Sequence, residues 1–354
     1  MNTLFRSPDA GLFGRRLRHE RGARIPVVVV TGFLGAGKTT LVKNFLNSPE
    51  GHGTAIVVNE FGAAGIDDAL LRSSADETVL LGNGCLCCNV RSDLQLALHK
   101  LMSERERGLV PHFRRIVIET SGLADPGPIL STFATDRALG GECHVDAVIA
   151  VADAVNGLTT LKQFAEARQQ VMLADRIVMS KADIAPLNDS EALAALLRSL
   201  NPRAPIVRAD AGQADPAIFV AAQSSSPFRA DAPADFVHSD GIGSFTLTWD
   251  RPLAWDVVAR AMDTLLALRG ADILRAKGLL SIKGCHGPVV VQFVQHLAHP
   301  PAELQAWPDE DRTSRLVFIT RGIAGSEVRS LFDTIESLDR GNVKRSGPEG
   351  IPGH

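Results

Sequence analysis

Short unbroken apolar runs, separated by stretches with helical spacing, set the pattern of residues 25 to 222. The runs fall at 26–30, 55–58, 115–118, 147–151, 176–179 and 205–207, and they are rich in Val and Ile. A strand with one face in water alternates apolar and polar side chains, whereas a strand covered on both faces stays apolar throughout. Six such runs with helical spacers predict a doubly wound α/β domain built on a mostly parallel sheet.

The pattern changes after a Ser-, Pro-, Ala- and Asp-rich stretch at 223–241, which reads as a linker. Residues 244–249 alternate with a period of two. Leu253, Val257, Val258, Ala261, Met262 and Leu265 then recur at helical spacing, predicting a helix from Pro252 to about Leu268. Strands are expected near 277–283, 289–295 and 315–320, with a helix near 326–338. That is a second, smaller α+β domain at 242–338 with a mostly antiparallel sheet. The ends, 1–24 and 339–354, read as flexible tails, the first basic with six Arg against Asp9 and Glu20. An organelle-targeting role for residues 1–24 stays open.

Composition removes several classes of function. A formal charge of −3 gives no electrostatic case for nucleic acid or an anionic membrane, and the absence of Tyr leaves few platforms for base stacking. No apolar run approaches the roughly 20 residues needed to cross a bilayer, and no secretory signal is visible, so the expected location is the cytoplasm. Five Cys, three of them within four positions, suit metal or redox chemistry better than a disulfide framework.

The chemistry starts at Gly32-Phe33-Leu34-Gly35-Ala36-Gly37-Lys38-Thr39, which fits GxxxxGK[ST] between a strand and an apolar-periodic helix. Glycines let backbone N–H groups close on phosphate oxygens, Lys38 reaches the β- and γ-phosphates, and the Thr39 hydroxyl can ligate Mg²⁺. Glu119 ends the run at 115–118 at the sheet edge where open α/β proteins bind ligands, and is the candidate Mg²⁺ partner, through water; the Gly122 amide can sense the γ-phosphate. Ser180-Lys181-Ala182-Asp183 follows the run at 176–179. The Asp183 carboxylate can accept both the N1–H and the 2-amino group of guanine, which adenine does not offer, and Lys181 can lie along the base plane. Ser180 stands where many GTPases carry Asn.

Gly84-Cys85-Leu86-Cys87-Cys88-Asn89 precedes a helical pattern (Leu94, Ala97, Leu98, Leu101, Met102), so the thiols are expected at a helix N-terminus, where thiolate is favoured. Three adjacent thiolates suit Zn²⁺ or Cu⁺, and three ligands with one open position suit a metal that must leave as well as bind. Glu60 is a candidate for the fourth ligand or for Mg²⁺. Cys143 with His144 reads as structural, placed just before a strand. Cys285-His286, His296 and His299 are weak candidates for an auxiliary site, and Asp153 reads as a cap or a supporting acid.

In order, TGFLGAGKTT, NEFG, GNGCLCCNVR, ETSGLADPGPI and SKAD resemble the CobW-like metallochaperone GTPases, relatives of HypB and UreG. The likeness spans about 25–338 and includes a CobW C-terminal segment at Arg275–Gly278 and Arg315–Ile319. It implies a switch-type GTPase domain at 25–222 that binds GTP with Mg²⁺, hydrolyses it to GDP, and whose nucleotide state controls release of the metal held by CxCC. Within that resemblance, Gly32, Gly35, Ala36, Gly37, Lys38, Thr39 and Thr40 hold the phosphates and Mg²⁺. Glu119 lies in the ExxG switch motif, Lys181 and Asp183 read guanine, and Cys85, Cys87 and Cys88 bind the metal. The chain lacks the His-rich stretch of many relatives, which favours a lean Zn²⁺ carrier serving a client protein. Co²⁺ or iron delivery in the same family, an ATPase or kinase with a redox thiol cluster, and a homodimer all stay open.

Overall fold

The computed structural model describes residues 24–59, 79–82, 90–202, 204–220, 235–237, 242–294, 297–298, 301–307 and 310–345. They divide into two compact units between Pro233 and Ala234.

The first unit is a parallel sheet of β1 (Ile25–Gly32), β2 (Thr54–Asn59), β3 (Val79–Gly82), β4 (Arg115–Thr120), β5 (Cys143–Asp153), β6 (Arg176–Ser180) and β7 (Ile206–Ala209), in the order β3-β2-β4-β1-β5-β6-β7. All six expected strands are present. β3 is a seventh that the apolar pattern does not predict, and it pairs parallel with β2 at the sheet edge. Continuous burial along β1 and β4 matches the unbroken apolar runs, because helices cover both faces.

The helices of this unit are α1 (Lys38–Leu46), α2 (Val90–Glu106), α3 (Gly127–Thr135), α4 (Arg137–Glu142), α5 (Gly157–Gln163), α6 (Ala165–Met172) and α7 (Leu187–Leu200). On one face α1 buries Leu41, Val42, Phe45 and Leu46 against Val28, Val30, Val117, Ile149 and Val178. The Phe45 ring stacks on Phe219 with centroids 4.1 Å apart. α6 packs against β1 and β5. α2 begins directly after the thiol motif and buries Leu94, Leu98 and Leu101, as its periodicity predicts.

Two expectations at the margins of this unit change. Cys143 and His144 lie inside β5 rather than before it, because β5 pairs with β1 from Ile25 onward. Arg24, expected in the tail, is buried and donates to Gly140 O at 3.1 Å.

The second unit is an antiparallel sheet of β8 (Asp235–Val237), β9 (Ile242–Trp249), β10 (Ile273–Leu280), β11 (Val289–Val294), β12 (Leu297–Ala298), β13 (Ala302–Glu303) and β14 (Ser314–Arg321), with helices α8 (Trp255–Arg269) and α9 (Gly325–Arg345). The strand order is β12-β11-β10-β14-β9-β8, and β13 pairs with β11. Phe245, Leu247, Phe293, Phe318, Met262, Leu265, Val328 and Phe332 form its core.

Three boundaries differ from the sequence pattern. Leu253 fits the helical period but stays outside α8, because its N–H bonds Ser281 O at 2.8 Å and its carbonyl accepts from Lys283 N at 2.9 Å. β8 lies within the expected linker, where pairing with β9 overrides a polar composition. α9 runs past Leu338 to Arg345, into the expected tail. No helix among the described residues is long and apolar enough to cross a membrane.

Candidate functional site

Because every strand of the first sheet is parallel, the carboxyl ends of β1, β4, β5 and β6 share one edge. There Val30 lies beside Glu119, Gly32 beside Val151, and Asp153 beside Ser180. Side chains leaving these four strands converge on the loop between β1 and α1, at the point where the strand order reverses.

The loop is shaped by glycine. Gly32, Gly35 and Gly37 have φ of 145°, 71° and 90°, values that L side chains rarely adopt. Gly37 serves as the N-cap of α1, so the helix opens with its unsatisfied N–H groups facing the loop. Lys38 is 9% exposed, and its Nζ donates to Gly32 O at 2.9 Å and Phe33 O at 3.3 Å, folding the ammonium back over the loop. Ala36 is fixed by its carbonyl, which accepts from Ser180 Oγ at 2.6 Å. Ser180, at the position where many GTPases carry Asn, thus ties the β6 loop to the phosphate loop. Thr40 lies on α1 at the first turn.

Thr39 and Glu119 come together across 80 residues of sequence, Thr39 Oγ1 donating to Glu119 Oε1 at 2.6 Å. Glu119 is 5% exposed. A hydroxyl and a carboxylate on adjacent elements form a hard-oxygen pair, the donor set that Mg²⁺ accepts beside substrate phosphates. The chain then passes directly over the phosphate loop: a Cβ on Gly122 would lie 2.7 Å from Leu34 N, so no side chain fits there.

On the far side, Lys181 sits at φ 55° and its Nζ pairs with Asp153 Oδ2 at 2.8 Å. Asp153 also accepts from Val155 N at 2.8 Å and Asn156 Nδ2 at 3.0 Å, so it is both cap and ion partner. Burial pushes its carboxyl up, but the hydrogen bonds from Lys181, Asn156 and Val155 and the Lys181 charge outweigh this and hold it below the usual carboxylate range. A depressed carboxyl adds stability that is complete above its ordinary value and is lost as pH falls through the folded value. Asp153→Asn is therefore expected to flatten the fall in stability below pH about 4. Urea melts between pH 3 and 6 check this, and identical acid limbs would exclude the contribution. Asp183 is exposed at the same edge.

Behind the loop is a cavity of about 210 Å³ lined by Phe33, Leu34, Asp153, Asn156, Gln170 and Lys181. Gln170 and Asn156 are not legible as site residues in the sequence, since neither belongs to a motif and only the fold brings them to the loop.

Among the described residues, no group of three or more His, Cys, Asp or Glu side chains could hold a metal ion. Cys85, Cys87, Cys88 and Glu60 lie outside the described residues, as do His296 and His299. Cys143 is buried in the core, and burial pushes its thiol up to about 12, far from thiolate chemistry at neutral pH. Cys285 packs against the core of the second unit, while the turn around His286 is held by Glu303, which accepts from His286 N at 2.7 Å.

A strand, a glycine loop capping a helix, and a hydroxyl–carboxylate pair beside it define a P-loop nucleotide-binding protein. The chain belongs to the CobW family: residues 26–208 match the CobW/HypB/UreG nucleotide-binding domain, and residues 242–336 match the cobalamin synthesis protein cobW C-terminal domain. It is 36% identical over 320 residues to the zinc chaperone YjiA of Escherichia coli, covering 87% of this chain and 98% of that one. It is 32% identical over 337 residues to the zinc chaperone CobW of Pseudomonas aeruginosa, covering 84% and 88%. The crystal structure of Zn(II)-bound YjiA GTPase from Escherichia coli shares its fold with a TM-score of 0.64 at 31% identity, covering 88% of this chain and 99% of that one.

Proposed function

We propose that this chain is a GTP-hydrolysing metallochaperone that carries Zn²⁺ on Cys85, Cys87 and Cys88 and passes it to a client protein in a nucleotide-dependent way. The observation that carries the reading is the 2.6 Å bond between Thr39 and Glu119, which joins the first turn of α1, just after the phosphate loop, to the carboxyl end of β4. Names of relatives along almost the whole chain, zinc chaperones in two bacteria, support the cargo.

In the proposed cycle Gly32, Gly35, Ala36, Gly37 and Thr40 cradle the phosphates through backbone and hydroxyl groups. Lys38 leaves the Gly32 and Phe33 carbonyls for the β- and γ-phosphates. Thr39 and Glu119 would hold Mg²⁺, which supplies charge neutralisation between those phosphates. Gly122 presents its N–H to the γ-phosphate, and Lys181 and Asp183 read the base. Glu60 is the proposed extra ligand, to the thiol-bound cargo or to Mg²⁺. Residues 25–222 form the proposed GTPase domain and 242–338 the CobW C-terminal domain, acting in the cytoplasm with a client protein and, in one version, as a homodimer.

Loss of the γ-phosphate contacts releases the loops on either side of the thiol segment, and with them the metal. The test is Zn²⁺ affinity measured with a non-hydrolysable GTP analogue and with GDP. A difference of about five- to 150-fold is expected, and equal affinities would end the switch. A Co²⁺ preference in the same titration would reassign the cargo within the family, and turnover of ATP in place of GTP would move the chain to another class. For the base, Asp183→Asn is expected to weaken GTP by about 10- to 100-fold, because an amide opposes its own N–H to the guanine 2-amino group. The same variant should gain xanthosine triphosphate, whose 2-oxo group accepts that N–H. Competition titration of the two nucleotides checks it.

A further inference from the structure

The loop leaving β4 is gripped from two sides. On one, Gly122 lies so close to the phosphate loop that a Cβ would meet Leu34 N at 2.7 Å and Leu34 Cα at 2.8 Å. On the other stands Gln170, in the last turn of α6 and 1% exposed. Its Nε2 donates to Gly122 O at 3.1 Å and to Ala124 O at 3.0 Å. Two carbonyl acceptors can be met only by the NH₂ end of an amide, so the orientation of Gln170 is fixed by chemistry. Its Oε1 is then buried with no hydrogen-bond partner among the described residues. An apolar side chain of the same shape would avoid that cost, so packing alone does not account for Gln here.

The grip is continued and anchored. Gln169 Nε2 donates to Asp125 Oδ2 at 2.9 Å, and Asp125 Oδ1 accepts from Gly127 N at 2.8 Å at the start of α3. The C-terminal end of α6 is held in turn by buried Asn201, whose Nδ2 bonds Val171 O and Ala174 O, each at 2.9 Å. Just beyond, the chain enters β6, which ends at Ser180, next to Lys181. One continuous path of hydrogen bonds and backbone therefore links the loop after Glu119 to the residues proposed to read the base.

We propose that Gln170 is a positioning residue: by holding the Gly122 and Ala124 carbonyls it fixes the peptide planes of the loop after Glu119, so that the Gly122 N–H discriminates GTP from GDP. This rests on the GTPase reading above. The donor of one buried amide sets the preference for the triphosphate, and the diphosphate, which does not reach Gly122, is bound independently of it.

The test compares the full chain with Gln170→Met, which keeps length and removes the donor. Affinities for GDP and a GTP analogue with Mg²⁺, kcat and KM for GTP, and melting temperature are measured. Gln170→Met is expected to bind GDP within about two-fold of the parent, while its preference for the GTP analogue and its kcat each fall about ten-fold or more. In Gln170→Glu, a carboxylate facing two carbonyls should lose the preference at pH 8 and regain part of it at pH 6, as protonation restores a donor. An unchanged GTP-to-GDP preference in Gln170→Met overturns the proposal and leaves the GTPase reading standing. A parent chain that binds no GTP overturns both. If Gln170→Met does not fold, Gln170→Asn, whose amide is one methylene short of the carbonyls, is read in the same way. Failure of both to fold makes the residue structural and overturns the proposal.

Discussion

Replacing Lys38 by Ala is expected to lower kcat/KM for GTP by about 10²- to 10³-fold while leaving the fold in place. In the resting loop the Lys38 ammonium donates to two carbonyl oxygens, Gly32 O at 2.9 Å and Phe33 O at 3.3 Å. That is a parking position from which a flexible side chain can move to phosphate oxygens, where developing charge makes its own charge worth most. Removing it costs the transition state more than the ground state, so kcat should fall further than GDP affinity. The two carbonyls it abandons border the cavity behind the loop and can turn to water, which limits the loss in stability. Steady-state phosphate release with matched melting curves checks this. A variant that hydrolyses GTP at the parental rate would remove the loop from the chemistry altogether. Lys38→Arg should not rescue turnover, since a planar guanidinium cannot fold back over the loop as the narrow ammonium does.

The sequence pattern reaches far into this fold because the first unit buries its strands on both faces. Continuous apolar runs are a strong signal, and the six expected strands are present. β3 escapes it because it is only Val79–Gly82, within a stretch of polar and small residues. The second unit is harder because β9 alternates buried and partly exposed positions and the edge strands are short. β8 is three residues long and made by pairing with β9, not by its own composition. Leu253 shows the same limit, matching the helical period of α8 while its backbone bonds Ser281 and Lys283.

The site divides along similar lines. Phosphate-loop residues are contiguous, so one motif with its strand and helix exposes them, and Glu119 follows from its place at a strand end. Gln170 and Asp153 act through contacts 48 and 28 residues apart, which no local pattern encodes. In the sequence Ser180 is only a departure from Asn. Its bond to Ala36 O at 2.6 Å shows what the hydroxyl does instead.

Gly32→Ala is expected to be far more damaging than Gly35→Ala, and the surroundings of the two glycines show why. Both glycines have positive φ, so both substitutions strain the backbone by about 1–3 kcal/mol. Gly35 faces open space, with no heavy atom within 4 Å of an added methyl, and pays only that strain. At Gly32 the added Cβ would overlap Val151 O on the neighbouring strand, with Val151 N at 3.1 Å and Val151 C at 3.2 Å, all of them backbone atoms that cannot rotate away. β1 and β5 pair at this point, so relief requires moving the phosphate loop off the sheet edge. The cost should rise to about 3–5 kcal/mol, a fall in melting temperature of roughly 6–20 °C for a domain of this size. Nucleotide affinity should fall with it, since Gly32 O is also where Lys38 rests. Melting curves and GDP titrations of the two variants side by side measure both effects, and equal losses in the two would show that the contact with Val151 carries no weight.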